Sequence, residues 1–254
     1  MNTIRVISAL ILREMSATYG KSILGYLWAL FQPIGSIAMF TLVISIGLRI
    51  KHPGIGTSFI LFYASGFFPY ALAMDTAKKV SRTINYSKAL LKYPTVTYVD
   101  AILARIILNT ITSVVVYIII FTGIIAVFSL DVSLNFDAML SAIWLSLLFG
   151  AALGSLNCFL FYQFPAWSNL WAILTRPLFL LSTIIYSFEQ VPSQFQYFLT
   201  FNPLIHMVGL MRRGIYATYD ANYVSELYVV LISLPILCFG LLLIRKFYKR
   251  MLYS

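Results

Sequence analysis

The chain has 254 residues, of which 61 % are hydrophobic and only 10 % charged, with a mean hydropathy of +0.89 and a formal net charge of +10. Soluble domains average roughly 45–50 % apolar and 25 % charged residues, so this composition excludes a water-soluble globule, and no polar stretch is long enough for a separate catalytic or nucleotide-hydrolysing domain. The expected fold class is an all-α polytopic membrane protein, because apolar segments this long satisfy their backbone groups in lipid by forming helices.

At the N-terminus, Ile4, Ile7, Ile11 and Met15 recur at helical spacing, with Arg5, Arg13 and Glu14 on other faces. This predicts a helix lying in the cytoplasmic interface within residues 1–24. Six apolar runs follow at 27–48, 58–77, 102–128, 138–163, 170–188 and 227–244, each long enough to cross a bilayer. No cleavable leader is expected, since the first run is long and follows an amphipathic segment. Residues 195–211 are nearly as apolar, but Asn202-Pro203 interrupts them and Arg212-Arg213 closes them. A seventh span would carry the C-terminal cations outside, so 189–226 is predicted to be an external segment that re-enters the membrane as broken helices. A surface-lying amphipathic helix is the alternative.

Charge sorts by side. Arg5, Arg13, Lys21, Lys78, Lys79, Arg82, Lys88, Lys92, Arg245, Lys246, Lys249 and Arg250 fall on one side, whereas Arg49, Lys51, Arg212 and Arg213 fall on the other with Asp131, Asp137, Glu189, Asp220 and Glu226. The positive-inside rule then places both termini in the cytoplasm. The basic balance reflects topology and lipid headgroups, and no nucleic-acid partner is expected.

Chemistry-bearing motifs are sparse. Gly20-Lys21-Ser22 resembles the tail of a phosphate loop, but Met15 stands where that loop needs a glycine. Cys158 and Cys238 lie in apolar runs and read as small hydrophobes. His52 and His206 have no partner at metal spacing, so no metal and no cofactor is expected on this chain. Asp75 and Asp100 sit near span ends and no acid lies mid-span, which argues that any uphill transport draws its energy from a partner. Arg105 falls about one turn into the third run and can snorkel, whereas Arg176 lies deeper, before Pro177. Gly25, Ala29, Gln32 and Ser36 share one face of the first run and read as a path or subunit interface. Gly150 and Gly154, with Ser146 and Asn157 nearby, read as close helix packing. Trp171, Phe179 and Tyr186 fall within about 80° on an ideal helix. They are either a lipid-facing or core stripe, or a stacking ladder for sugar rings.

Tyr19-Gly20-Lys21, Leu24-Gly25-Tyr26-Leu27-Trp28-Ala29 and Pro33 resemble the N-terminal signature of ABC-2-type exporter permeases, those for capsular polysaccharide in particular. Arg176-Pro177-Leu178, Val191-Pro192, Asn202-Pro203-Leu204 with His206, Arg212, and Met251-Leu252 with Ser254 continue the likeness along the whole chain. The resemblance implies a homodimeric pore on two copies of a separate ABC ATPase subunit. It also implies cargo passing between protomers along spans one and five, and periplasmic and outer-membrane export proteins as further partners. It assigns the cytoplasmic loop 78–98 to ATPase coupling, through Arg82, Asn85, Tyr86, Lys88, Leu91, Lys92 and Tyr93. Trp28, Phe31, Gln32, Trp171, Arg176, Phe179, Tyr186 and Arg212 become the expected substrate path.

The function expected is therefore the permease subunit of an ABC exporter carrying a capsular, lipid-linked, acidic polysaccharide across a bacterial inner membrane, without covalent catalysis by this chain. An O-antigen or teichoic acid exporter is the alternative within the class. An ion-coupled flippase, or a membrane-embedded transferase using Asp100 or His52, is the alternative outside it.

Overall fold

The computed structural model describes residues 3–18, 23–44, 54–93 and 95–253, without the side chains of 17–18, 23–26 and 29. Tyr19-Gly20-Lys21-Ser22, residues 45–48 of the first apolar run, Arg49, Lys51, His52 and Ser254 lie outside the described residues. So do the side chains of Leu24, Gly25, Tyr26 and Ala29. The described residues form helices and connections without strands.

An interfacial-length helix α1 (Thr3–Thr18) is followed by α2 (Ile23–Leu42) and α3 (Phe59–Ser81). A short α4 (Thr83–Tyr86) precedes α5 (Tyr98–Phe128) and α6 (Phe136–Gln163). The rest comprises α7 (Trp167–Leu181), α8 (Ser193–Leu199), α9 (Pro203–Ile215) and α10 (Glu226–Tyr253). Three helices, α5, α6 and α10, are long and apolar enough to cross a membrane, and Leu30–Leu42 is a shorter apolar stretch.

α3 is the hub. Leu61, Phe62, Tyr63, Ala64 and Ser65 are all buried, so protein surrounds α3 on every side over that stretch. That explains why it is less apolar than α5: a helix solvated by other helices can carry Ser65 and Thr76 if each finds a partner, and Ser65 Oγ donates to the Phe62 carbonyl at 2.7 Å. α6 packs on α3 where Gly150 and Gly154 face it. A Cβ at Gly150 would stand 2.5 Å from the Ala73 carbonyl oxygen, and one at Gly154 would stand 2.6 Å from Val80 Cβ. The expectation of close packing at this glycine pair therefore holds. On the far side of α6, Gly240 of α10 faces the backbone at Ser155–Leu156.

Helix ends follow local chemistry. Thr97 and Asp100 form a reciprocal capping box at the start of α5, with the Thr97 amide and hydroxyl both donating to Asp100 Oδ2. Asn135 caps α6 and Asn202 caps α9. The fifth predicted run, 170–188, is a shorter helix than expected: α7 stops at Leu181 and Thr183 takes a left-handed φ of 55°. Side chains satisfy the terminal carbonyls. Ser182 Oγ bonds the Leu178 carbonyl, and Asn202 Nδ2 donates to the Leu181 carbonyl at 3.1 Å.

The segment 189–226 breaks at Asn202-Pro203 as expected, into α8 and α9. α9 is buried among the other helices: Leu204, Ile205, Met207, Val208, Leu210 and Met211 have almost no exposed surface. On α1, Val6 and Leu10 are buried, Ile7 and Ile11 of the predicted apolar face pack partly on the same cluster, and Ile4 of that face is 79 % exposed. The buried stripe is turned toward protein because α1 docks on α5.

Candidate functional site

The site assembles where α3 ends. Ser81 Oγ donates to the Lys78 carbonyl and Thr83 Oγ1 to the Lys79 carbonyl, and these back-bonds accompany the break into α4. Ile84 and Leu91 then anchor the segment in a cluster with Val80, Cys158, Ile244, Met251 and Leu252, and Tyr248 Oη donates to the Leu91 carbonyl at 3.1 Å. Apolar anchors at 84 and 91 leave Arg82, Asn85, Tyr86, Lys92 and Tyr93 exposed, with Lys88 half-buried.

Facing this segment is α7, which has no fully buried residue. Its start is pinned by Trp167 Nε1 donating to Asn157 Oδ1 of α6 at 2.9 Å. Its middle carries Pro177, where an amide is missing from the helix. Between them opens a cavity of about 1090 Å³, lined by Tyr70, Asp75, Lys78, Arg82, Tyr86, Trp171, Arg176 and Phe179 among others. Phe179 sits 5.3 Å from the Phe40 ring and 5.5 Å from the Tyr70 ring, a three-ring wall contributed by α2, α3 and α7. A second cavity of about 620 Å³ lies against α2 and α5. It is lined by Trp28, Gln32 and Asn109, and it shares Asp75, Lys78, Arg82 and Tyr86 with the first. Exposed aromatic faces with cations at hand suit a ligand bearing both apolar C–H faces and negative charge.

The residues singled out from sequence therefore separate. Trp171, Arg176 and Phe179 meet in the large cavity together with Arg82, Asn85 and Tyr86, so residues expected on the path and residues expected in the coupling loop line one chamber. Trp28 and Gln32 line the second cavity, whereas Phe31 is 59 % exposed and lines neither. Tyr186 lies beyond the end of α7, so it leaves the sector it would share with Trp171 and Phe179 on a continuous helix. It lines a separate cavity of about 580 Å³ with Phe195, Phe198 and Phe201.

Arg212 is wholly buried. Its Nη1 donates to the Tyr186 carbonyl at 3.1 Å and Nη2 to the Ile184 carbonyl at 3.0 Å, and its Cζ lies 3.8 Å from the Phe62 ring centre. It holds the turn after α7 against α3 and α9.

Three groups gain roles that sequence reasoning did not assign. Glu14 forms an ion pair with Arg105 at 2.9 Å, and burial raises its carboxyl above the usual range against the opposing pull of that arginine. The signal was present as the lone acid of the first helix and a cation inside an apolar run. His206 is 2 % exposed. Nδ1 accepts from the Ser225 amide at 3.1 Å, so Nε2 carries the proton donated to the Thr200 carbonyl at 2.9 Å. Asp100, the acid a transferase would have needed, is engaged in its capping box.

The profile of the ABC-2 type transporter family matches residues 5–216. The polysialic acid transport protein KpsM of Escherichia coli is 29 % identical over 248 residues, covering 98 % of this chain and 95 % of that protein. The capsule polysaccharide export inner-membrane protein CtrC of Neisseria meningitidis serogroup B is 26 % identical over 245 residues, covering 96 % of this chain and 92 % of that protein. BexB of Haemophilus influenzae, a protein of the same description, is 25 % identical with the same coverage. With most of its length matched by the family profile, this chain belongs to the ABC-2 type transporters.

Proposed function

We propose that this chain is the permease subunit of an ABC exporter that moves a capsular polysaccharide across a bacterial inner membrane, powered by a separate ATPase. The observation that carries the reading is the chamber in which Trp171, Phe179 and Arg176 adjoin Arg82, Asn85 and Tyr86. Aromatic faces there take the C–H faces of sugar rings, and the cations suit an acidic, lipid-linked polymer. The names of the relatives, all transport or capsule-export proteins, point the same way.

In this reading six segments span the membrane, both termini lie in the cytoplasm, and α8–α9 re-enter from the outside. Two protomers enclose the path and bind two ATPase copies. The helices assigned to the path include the least enclosed of the protomer: α7 has no fully buried residue, and Trp28, Phe31 and Met39 of α2 are exposed. Residues 82–93 take the push of the ATPase, with Arg82, Tyr86, Lys92 and Tyr93 among those exposed to it. The external face meets the periplasmic and outer-membrane partners. The chain binds no cofactor and makes or breaks no covalent bond.

Reconstitution of the permease with its ATPase in liposomes tests this. ATP should drive polymer across the bilayer. Trp171→Ala with Phe179→Ala should lower transport severalfold without loss of inserted protein, and Arg82→Glu should leave insertion intact while uncoupling hydrolysis from transport. ATP-independent transport, or normal transport by Arg82→Glu, would sink the reading.

A further inference from the structure

Arg105 stands in the first turns of α5, within an otherwise apolar stretch, and is only 6 % exposed. Its guanidinium reaches three other elements at once. Nε lies 2.9 Å from Glu14 Oε1 of α1, an ion pair rather than an aligned hydrogen bond. Nη1 donates to the Lys79 carbonyl near the end of α3 at 2.7 Å, and Cζ sits 4.2 Å from the centre of the Tyr86 ring in α4. One turn further along α5, Asn109 Oδ1 accepts from Lys79 Nζ at 2.6 Å while its Nδ2 donates to Thr76 Oγ1 at 2.8 Å, so α3 and α5 are stitched together beside the arginine.

Apolar contacts complete the same junction. Val6 and Leu10 of α1 pack on Ala104, next to Arg105, with Leu90 and Val96 alongside. The first helix thus grips both the start of α5 and the segment that follows α4.

The physical consequence follows from charge. A guanidinium does not deprotonate at any accessible pH, so a buried one must keep its counter-charge and its acceptors. Glu14 is the only acid in α1. If α1 rotated or slid away, Arg105 would lose its counter-charge, and Glu14 would lose its one ion-pair partner among the described residues. Tyr86 rests on the same guanidinium, so displacement of α4 bears directly on the group that holds α1.

We propose that Arg105 is a positioning residue that locks α1 to the turn carrying Tyr86, so that a displacement at residues 82–93 moves α1 and the start of α5 as one body. The mechanical part of this rests on the reading of 82–93 as the ATPase contact; the lock itself does not, and the two are tested separately.

For the lock, the full-length permease with Cys238→Ser is spin-labelled at Leu12→Cys and Tyr93→Cys, positions that are 65 % and 63 % exposed. The distance distribution between the labels should be narrow. It should broaden in Glu14→Gln and in Arg105→Gln, no further in the double variant, and narrow again in part with Arg105→Lys. An unchanged distribution in Glu14→Gln overturns the lock, and Glu14→Gln gives the answer even if Arg105→Gln does not fold. For the mechanical role, the exporter with its ATPase is assayed with Glu14→Gln. ATP hydrolysis should persist while polymer moved per ATP falls about tenfold, within the usual range of coupling between sites. A broadened distribution with unchanged transport per ATP overturns the mechanical role. Failure of the underlying ATPase-contact reading would show separately, as normal coupling in Arg82→Glu.

Discussion

Arg105 and Arg212 are both arginines sealed into an apolar protein, yet they are satisfied in opposite ways. Arg212 is held by two main-chain carbonyls of one turn and by a single ring, and forms no ion pair among the described residues. Arg105 is held by a carboxylate, a carbonyl and a ring, each from a different helix. Carbonyls of one turn make a fixed clasp, whereas partners drawn from three elements make a joint whose state depends on all of them. On the proposal made above for Arg105, the end bearing Arg212 serves as a scaffold and the end bearing Arg105 as the part that transmits a movement.

The sharpest way to break this contrast is at Arg212. Arg212→Ala leaves the Ile184 and Tyr186 carbonyls without donors and empties a fully buried site, so a loss of about 3 kcal/mol or more is expected. It should show as low membrane yield and a lowered Tm of the purified protein. Arg212→Lys should rescue little, because an ammonium lacks the planar fork that meets two carbonyls. A normal Tm in Arg212→Ala would remove the scaffold reading of that end.

A smaller effect is expected between the two ends, at the α3–α6 contact. Gly150→Ala places a methyl group 2.5 Å from a main-chain oxygen that cannot rotate away. A cost of about 1–3 kcal/mol follows from overpacking, measurable as a Tm shift. Gly123→Ala is the control, since nothing lies within 4 Å of its added Cβ.

The smallest effect is a pH dependence at the scaffold end. Burial holds the His206 pKa below its ordinary 6.5, so the unfolded chain takes up the proton first. The stability contributed by neutral His206 is complete above pH 6.5 and is lost as pH falls from there toward the lowered folded value, with a slope of at most about 1.4 kcal/mol per pH unit. Protonation of Nδ1 would also break its bond from the Ser225 amide. His206→Gln should flatten the change in Tm between pH 7 and pH 5, and an equally steep change in that variant would assign the effect elsewhere.

Much of the architecture was legible because lipid demands it. The apolar runs that form α5, α6 and α10, the break at Asn202-Pro203 and the glycine pair at 150 and 154 each carry a local physical signal that survives in the fold. What was not legible is set by distant partners. The end of α7 depends on Asn202, 21 residues beyond the Leu181 carbonyl it bonds, so periodicity alone extended that helix to include Tyr186. The surroundings of Arg212 come from carbonyls 26 and 28 residues away, and no pattern near Arg212 announces them. Trp171, Arg176 and Phe179 were recognisable by residue type, but their meeting with Arg82, Asn85 and Tyr86 in one chamber is a tertiary fact.

The most direct test of the central claim is to delete the gene in its host, restore it on a plasmid, and locate the polysaccharide by cell fractionation. Polymer of normal chemistry trapped in the cytoplasm of the deletion strain, and returned to the surface by the intact gene, is the predicted result. A surface coat unchanged by the deletion would contradict the assignment of polysaccharide export to this chain.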